Sequence, residues 1–247
     1  LVMTDKNNFR YKDGWRKIDY ILSYSQTNST LINSCMLANG NKYIITGAPR
    51  NDFLFINKEN NLIDNNFVKK ILVAITMNEK NNFKYDIFAN QNLNNFLAEN
   101  NFVMYVKPHP HDEHKFNKKV FSNFKNIFIL SDEVLSEKEI DLYQILNQFD
   151  LLITDYSSIF FDFLLLDRPI LFLKDETFQR GFLIEDMESF VPGPIFNNLN
   201  ELKNYLSDLE GANEKFKKKR DYVKKQFHRY KDDKSSVRLE NFIKSII

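Results

Sequence analysis

The amino-acid sequence predicts an α/β fold, namely a Rossmann-like parallel sheet with helices on both faces. Predicted strands and helices alternate along the chain, which is the pattern of a parallel sheet. The predicted strands are short and continuously apolar, as expected for strands buried on both faces. The chain of 247 residues is 43% hydrophobic, which is enough for a sizeable core.

The clearest strand–helix–strand unit begins with an apolar run at 151–154. An almost wholly apolar segment at 159–166 predicts a buried helix, and the run at 170–173 predicts the next strand. Ser157 and Ser158 stand where the helix begins, and serine often caps a first turn. The turn before the helix is therefore expected at the carboxyl edge of the sheet, where open α/β sheets bind ligands.

Other elements are predicted on both sides of this unit. The Asn-rich stretch at 57–66 is typical of a linker, so we expect two parts, at 1–60 and 61–247. Ser136 and Glu139 have the spacing of a capping box at the start of a helix. The remaining predicted elements are strands at 20–24, 43–46, 71–76, 102–106 and 126–130, and helices at 27–38, 87–99, 136–149, from 200 onward and 214–231.

Composition limits the classes of function. The formal net charge of +1 argues against general nucleic-acid binding. Cys35 is the single cysteine of the sequence, which excludes an internal disulfide framework and fits a reducing cytoplasm. No apolar run approaches the length of about 18 residues that a membrane-spanning helix needs, so the sequence predicts none.

A histidine held between two prolines is the first candidate for chemistry. In the Lys-Pro-His-Pro turn at 107–110, His109 can hydrogen-bond a phosphate or give a proton to a leaving group, because the reference pKa of histidine lies near neutrality. A surface turn without function is an equal alternative. His111 and His114 lie close by, but no cysteine or suitably spaced carboxylate completes a metal site, so we predict no metal.

The helix start after residue 154 is the second candidate. Two serine hydroxyls beside free N–H groups form a suitable site for a phosphate or diphosphate, although an ordinary helix cap is the alternative. Asp155 ends the strand and can accept a hydrogen bond from a sugar or glycerol hydroxyl. Asp162 lies one turn into the apolar helix, where a buried carboxylate needs a partner, so it either caps a loop or binds ligand.

Two basic features are open to more than one interpretation. Arg50, in the turn at 47–52, can bind a phosphate through two N–H groups of its guanidinium, but an ordinary turn fits its spacing equally. The predicted helix at 214–231 carries an apolar stripe and many lysines. It either lies against anionic lipid or, as is commoner, packs its stripe on the domain and exposes its charges.

Together these motifs resemble one family. The turns at 47–52 and 107–110, the stretch at 150–169 and Arg-Gly-Phe at 180–182 follow the order and spacing of the CDP-glycerol glycerophosphotransferase family, which comprises teichoic acid polymerases and their capsule-polymer relatives. The resemblance extends from about residue 19 to the C-terminus. It implies the C-terminal half of a GT-B architecture plus a remnant of the N-terminal domain.

The resemblance also implies a function. The enzyme would transfer glycerol phosphate or ribitol phosphate from CDP-glycerol or CDP-ribitol to a hydroxyl of a lipid-linked polymer, releasing CMP, in teichoic acid or capsule synthesis and without a cofactor. His109 would contact the donor phosphates and assist the leaving group. The protein is expected in the cytoplasm, peripheral on the inner face of the membrane through its basic C-terminal helix. The residues implied in donor binding are Arg50, Lys107, Asp155, Ser157, Ser158 and Asp162.

The sequence departs from the family in one respect. The family has a His-Gly-x-Pro motif, thought to supply the general base, and the sequence contains no such motif. Residues 1–60 are therefore expected to be the last β–α–β unit of the N-terminal acceptor domain and a linker, and 61–247 the donor-binding domain. Either the chain is such a fragment, which would bind donor and turn it over poorly or not at all, or the general base comes from elsewhere.

Three alternatives remain open at this point. A nucleotide-sugar glycosyltransferase of the same architecture would prefer a UDP-sugar or CMP-sugar donor. A UDP-sugar 2-epimerase would convert its substrate without an acceptor. A non-catalytic nucleotide-binding module would bind without releasing CMP.

Overall fold

The computed structural model describes residues 17–36, 38–56, 62–76, 84–115, 118–174, 184 and 186–247. Seven of its strands lie close to the apolar runs that predicted them, with differences of at most two residues at the ends, and the short strand at 195–196 was not predicted. The two strands of the first part pair in parallel, and the other six form one parallel sheet. In chain order the strands are β1 (Ile21–Ser23), β2 (Tyr43–Ile45), β3 (Lys69–Ala74), β4 (Phe102–Lys107), β5 (Ile127–Ile129), β6 (Leu151–Thr154), β7 (Ile170–Leu173) and β8 (Ile195–Phe196).

The order of the six strands determines where a ligand can bind. The sheet runs β5-β4-β3-β6-β7-β8, so the chain first builds outward in one direction from β3 and then in the other direction from β6. Connections leave β3 and β6 toward opposite sides, which opens a crevice beyond their carboxyl ends. The expected site therefore lies at the change of direction between β3 and β6.

Helices cover both faces of this sheet. One face packs against a core that includes Phe160 and Phe163, and the other against a core that includes Leu93, Leu97 and Leu202, all fully buried. This arrangement confirms the predicted α/β fold with a parallel sheet between two helical layers. In chain order the helices are α1 (Gln26–Met36), α2 (Gln91–Glu99), α3 (Lys118–Phe121), α4 (Asp132–Glu137), α5 (Leu142–Ile145), α6 (Ile159–Phe163), α7 (Met187–Phe190), α8 (Leu199–Ser207), α9 (Leu209–Phe227) and α10 (Ser235–Ile246).

The single helix predicted at 136–149 is wrong. Ser131 accepts a hydrogen bond from a first-turn backbone N–H and starts α4 directly after β5. The chain then leaves the helical conformation at Glu139, which has a left-handed φ of 53°. Asp141 and Gln144 form the actual capping box, which opens α5. Two short helices therefore replace one because each start has its own cap.

The C-terminal helix α10, which the sequence pattern did not predict, packs on the first part of the chain. The two carboxylate oxygens of Asp52 accept the backbone N–H groups of Ser235 and Ser236 at the start of α10, at 2.9 and 2.8 Å. The rings of Tyr20 and Phe242 meet edge to face with centroids 4.8 Å apart. The division near residue 60 stays a prediction, but these contacts tie the far end of the chain to residues before it.

His228, just after α9, adds a buried contact between the two parts. Its ring stacks on Tyr24 with centroids 5.3 Å apart, and its Nε2 donates to the carbonyl oxygen of Phe161 at 2.7 Å. The side chain is only 4% exposed. Burial lowers the pKa of His228, because the charged imidazolium loses its hydration there.

We predict that His228 makes the folded state less stable in mild acid. His228 titrates near pH 6.5 in the unfolded chain and at a lower pH in the folded chain. Below pH 6.5 the unfolded state therefore binds more protons at this residue. The free energy of unfolding should then fall as the pH drops, by at most about 1.4 kcal/mol per pH unit for one proton. His228→Gln keeps an N–H donor and should show a shallower slope in urea unfolding at pH 7, 6 and 5. Exposed His114→Gln should keep the wild-type slope, and equal slopes in all three proteins would contradict the prediction.

Candidate functional site

A cleft of about 400 Å³ opens beyond the carboxyl ends of β3, β4 and β6. His109 reaches it from the turn after β4, and Ser157 from the turn after β6. The structure thus brings together the histidine and one of the serines that the sequence analysis singled out. The other lining residues are Ala74, Ile75, Lys107, Pro108, Pro110, Asp132, Leu135, Ser136, Ile140, Asp141, Leu142 and Ile159.

The imidazole of His109 is held in a defined orientation. The backbone N–H of His109 donates to the hydroxyl oxygen of Tyr85 at 3.1 Å, and the ring Nδ1 of His109 accepts the backbone N–H of His111 at 3.3 Å. The rings of the two histidines also stack, with centroids 5.4 Å apart. A ring nitrogen that accepts an N–H carries no proton, so in the neutral ring Nε2 carries it. Nε2 is therefore the atom that can donate to a phosphate oxygen.

The two serines differ in their surroundings, and the predicted serine cap is wrong. Ser158 precedes α6 in a helical conformation and makes no side-chain cap. Its neighbour Ser157 lines the cleft and is half-buried, whereas Ser158 is exposed and is not among the lining residues. The backbone N–H of Ser157 donates to Asp155 Oδ1 at 3.0 Å, so an aspartate rather than a serine organises this turn.

The carboxylate of Asp155 is engaged within the protein. The residue is fully buried. Its oxygens accept the backbone N–H of Thr76 at 2.9 and 3.0 Å, and the Thr76 hydroxyl donates to Oδ2. The carboxylate thus ties the end of β3 to the end of β6, and donor binding by Asp155 stays a prediction.

The ammonium group of Lys107 lines the cleft but is already engaged. Its Nζ lies 2.8 Å from the carbonyl oxygen of Pro108, 3.2 Å from Glu113 Oε1 and 2.8 Å from Asp132 Oδ1. An ammonium has three N–H donors, and three oxygen atoms surround this one. The arrangement does not support direct phosphate binding by Lys107, which instead holds the histidine turn against α4.

Arg50 and Asp162 contact each other rather than the cleft. Their ion pair measures 2.9 Å, with Asp162 fully buried and the Arg50 side chain 49% exposed. Asp162 also accepts from Asn51 Nδ2 at 2.8 Å and from the Tyr143 hydroxyl at 2.7 Å. Burial, together with the negative charge of Asp162, raises the pKa of Tyr143, which therefore stays protonated as a donor. Asp162 thus has three protein partners, and donor binding by Asp162 and by Arg50 stays a prediction.

One wall of the cleft escaped the sequence analysis. Leu135, Ile140 and Leu142 form an apolar surface, and Ser136 and Asp141 add polar groups to it. These residues follow β5, so they too lie beyond the carboxyl end of a strand. That position was a usable signal, but the predicted single helix at 136–149 concealed the turn between α4 and α5.

Two other expectations from the sequence concern the motif at 180–182 and metal binding. Arg-Gly-Phe at 180–182 lies outside the described residues. Among the residues that the structure does describe, no group of three or more His, Cys, Asp or Glu side chains is placed to hold a metal ion.

Comparison with known proteins agrees with the resemblance seen in the motifs. The family model described as CDP-Glycerol:Poly(glycerophosphate) glycerophosphotransferase matches residues 3–245. A teichoic acid glycerol-phosphate primase of Bacillus subtilis is 28% identical over 246 residues, which cover 96% of this chain and 60% of the relative. A teichoic acid poly(glycerol phosphate) polymerase of Bacillus spizizenii is 30% identical over 218 residues, which cover 78% of this chain and 52% of the relative.

The fold is similar to that of solved structures. A structure of the wall teichoic acid polymerase TagF superposes with a TM-score of 0.76 at 22% identity, covering 99% of this chain and 63% of that one. A putative UDP-N-acetylglucosamine 2-epimerase from Listeria monocytogenes superposes with a TM-score of 0.55 at 16% identity, covering 92% and 59%. The first likeness confirms the predicted GT-B fold class.

The chain spans about 60% of the length of the Bacillus subtilis primase. Within that span the family model matches almost every residue, and its match includes both turns that face the cleft. The protein therefore belongs to the CDP-glycerol:poly(glycerophosphate) glycerophosphotransferase family.

Proposed function

We propose that this chain binds a CDP-activated alditol in the cleft between β3 and β6 and serves the transfer of its alditol phosphate to a polymer hydroxyl. The observation that carries the proposal is that His109 and Ser157, from two different loops, line one cleft of about 400 Å³. Family membership supports the class of donor, since similar proteins are named as glycerol-phosphate and ribitol-phosphate transferring enzymes. The proposal includes both glycerol and ribitol as the alditol.

In the proposed reaction the acceptor hydroxyl attacks the phosphorus that carries the alditol. A new P–O bond forms to the acceptor, the bond from that phosphorus to the bridging oxygen breaks, and CMP leaves. The acceptor hydroxyl releases its proton to a general base. Nε2–H of His109 donates to the phosphate oxygens, where charge accumulates in the transition state. The Ser157 hydroxyl holds the diphosphate in place.

We predict that the wild-type chain binds CDP, CDP-glycerol and CDP-ribitol, measured by calorimetry and by heat-induced unfolding. His109→Ala and Ser157→Ala should each weaken binding by about 10-fold to 100-fold, because a hydrogen bond to a charged group contributes about 1.5–3 kcal/mol. Exposed His114→Ala is the matched control and should bind as wild type. Indifference of the wild-type chain to every cytidine nucleotide would contradict the proposal.

The likeness to a UDP-sugar 2-epimerase supplies a second candidate through the fold alone. The same measurement distinguishes a nucleotide-sugar glycosyltransferase from the proposed function. An epimerase or a UDP-sugar glycosyltransferase would bind UDP more tightly than CDP, and a CMP-sugar glycosyltransferase would bind CMP more tightly than CDP, so UDP and CMP are included in the same titration. Stronger stabilisation by CDP than by UDP is expected under our proposal.

We also propose that α9 brings the protein to the inner face of an anionic membrane. Within the described residues no helix is both long and apolar enough to cross a membrane. On α9, Val223 and Phe227 are buried, so this part of the apolar stripe packs inside the protein. The opposite face, at intervals of three and four residues, is exposed and carries Lys215, Lys218, Tyr222 and Lys225.

We predict that the double variant Lys218→Glu and Lys225→Glu sediments less with anionic phosphatidylglycerol vesicles than wild type. Each lysine near such a surface contributes about 1 kcal/mol, so the partition coefficient should fall roughly tenfold or more at low salt. The control variant, Lys125→Glu and Lys138→Glu, changes the net charge equally at exposed positions off α9 and should bind as wild type. Equal loss in both double variants would show a general charge effect and overturn the assignment to α9.

A further inference from the structure

A fully buried carboxylate joins three separate segments of the chain. Asp162, in α6, accepts from Arg50 Nη2 at 2.9 Å and from Asn51 Nδ2 at 2.8 Å, both in the segment Pro49–Phe55. It also accepts from the hydroxyl of Tyr143, in α5, at 2.7 Å. The three donors therefore converge on two oxygens from sequence positions about 20 and 110 residues away.

The hydrogen bonds that this buried carboxylate requires determine the orientation of the neighbouring side chains. An ionised carboxylate without hydrogen bonds is very costly to bury. Asn51 turns its amide nitrogen toward Asp162, and among the described residues its Oδ1 is then buried without a hydrogen-bond partner. Leaving such an oxygen unsatisfied costs about 1–3 kcal/mol. Arg50 adds a contact over the ring of Tyr143, 4.9 Å from its centroid.

Two of the joined segments form walls of the cleft. Leu142, which precedes Tyr143, and Ile159, one turn before Asp162, both line it. The third segment belongs to the first part of the chain, next to β2. A change in the contacts of Asp162 therefore moves α5 and α6 relative to each other, and both relative to the first part.

We infer that Asp162 is a positioning residue that sets the width of the cleft by holding α5 and α6 together. Its contact with the α5 wall is the hydrogen bond from the Tyr143 hydroxyl. The inference rests on the proposed function for its effect on nucleotide binding. Asp162 itself is fully buried. Its influence on the donor passes through the lining residues beside its partners.

The test uses Tyr143→Phe, which removes one hydroxyl, and Asp162→Asn, which removes the charge. Both should weaken CDP binding about 3-fold to 10-fold in calorimetry on the folded protein, with unchanged stoichiometry. Tyr105→Phe is the matched control, since the Tyr105 hydroxyl accepts the backbone N–H of Asp64 at 3.0 Å and Tyr105 does not line the cleft. It should lose stability and keep wild-type affinity. If Tyr143→Phe loses stability in the same way and keeps wild-type affinity, the role is purely structural and the inference is wrong.

A second measurement separates this inference from the proposed function. Hydrogen exchange of the ligand-free proteins should be faster at 141–146, at 157–160 and at 49–55 in Tyr143→Phe and Asp162→Asn, but not in Tyr105→Phe. If the wild-type chain binds no cytidine nucleotide, the proposed function fails while the exchange pattern still decides the positioning role. Wild-type exchange at 157–160 in Tyr143→Phe would overturn it, even if Asp162→Asn does not fold.

Discussion

The carboxylate of Asp155 is the contact on which the cleft depends. It is buried where the sheet changes direction, and it hydrogen-bonds Thr76 beyond β3 and the backbone of Ser157 beyond β6. Because a buried carboxylate must keep its donors, these bonds fix the two strand ends relative to each other. β4 pairs with β3 along its whole length, so the turn with His109 is carried to the same edge. The approach of His109 and Ser157 thus follows from sheet register and one aspartate.

Charged residues within the family-like motifs serve mainly to hold this arrangement. Asp155, Asp162 and Lys107 are each buried with protein partners, and their contact with the donor stays a prediction. Such groups lose hydration on burial, and internal partners must replace it. Two of the groups that line the cleft, the imidazole of His109 and the hydroxyl of Ser157, belong to residues that are only half-buried.

The parts of the fold that depend on local pattern could be predicted from the sequence. Continuous apolar runs such as 151–154 became strands because both faces of the sheet are covered. The turn at Glu139 could not be predicted, because a left-handed residue between two capped starts leaves no periodic signal. The sequence indicated that Asp162 needs a partner. It did not indicate that the partner is Arg50, 112 residues earlier, because that contact depends on the tertiary fold. Position after a strand identified His109 and Ser157, and the same rule applied after β5 would have found the missing wall.

We propose that the imidazole of His109 and the hydroxyl of Ser157 bind the same diphosphate. The most direct test is the ratio of CDP to CMP affinity in the wild type, in His109→Ala and in Ser157→Ala, since the two nucleotides differ only in the second phosphate. We expect the wild type to prefer CDP and each substitution to lower the ratio toward one. A wild-type ratio that survives both substitutions would mean that neither loop reads the diphosphate, and would contradict the account.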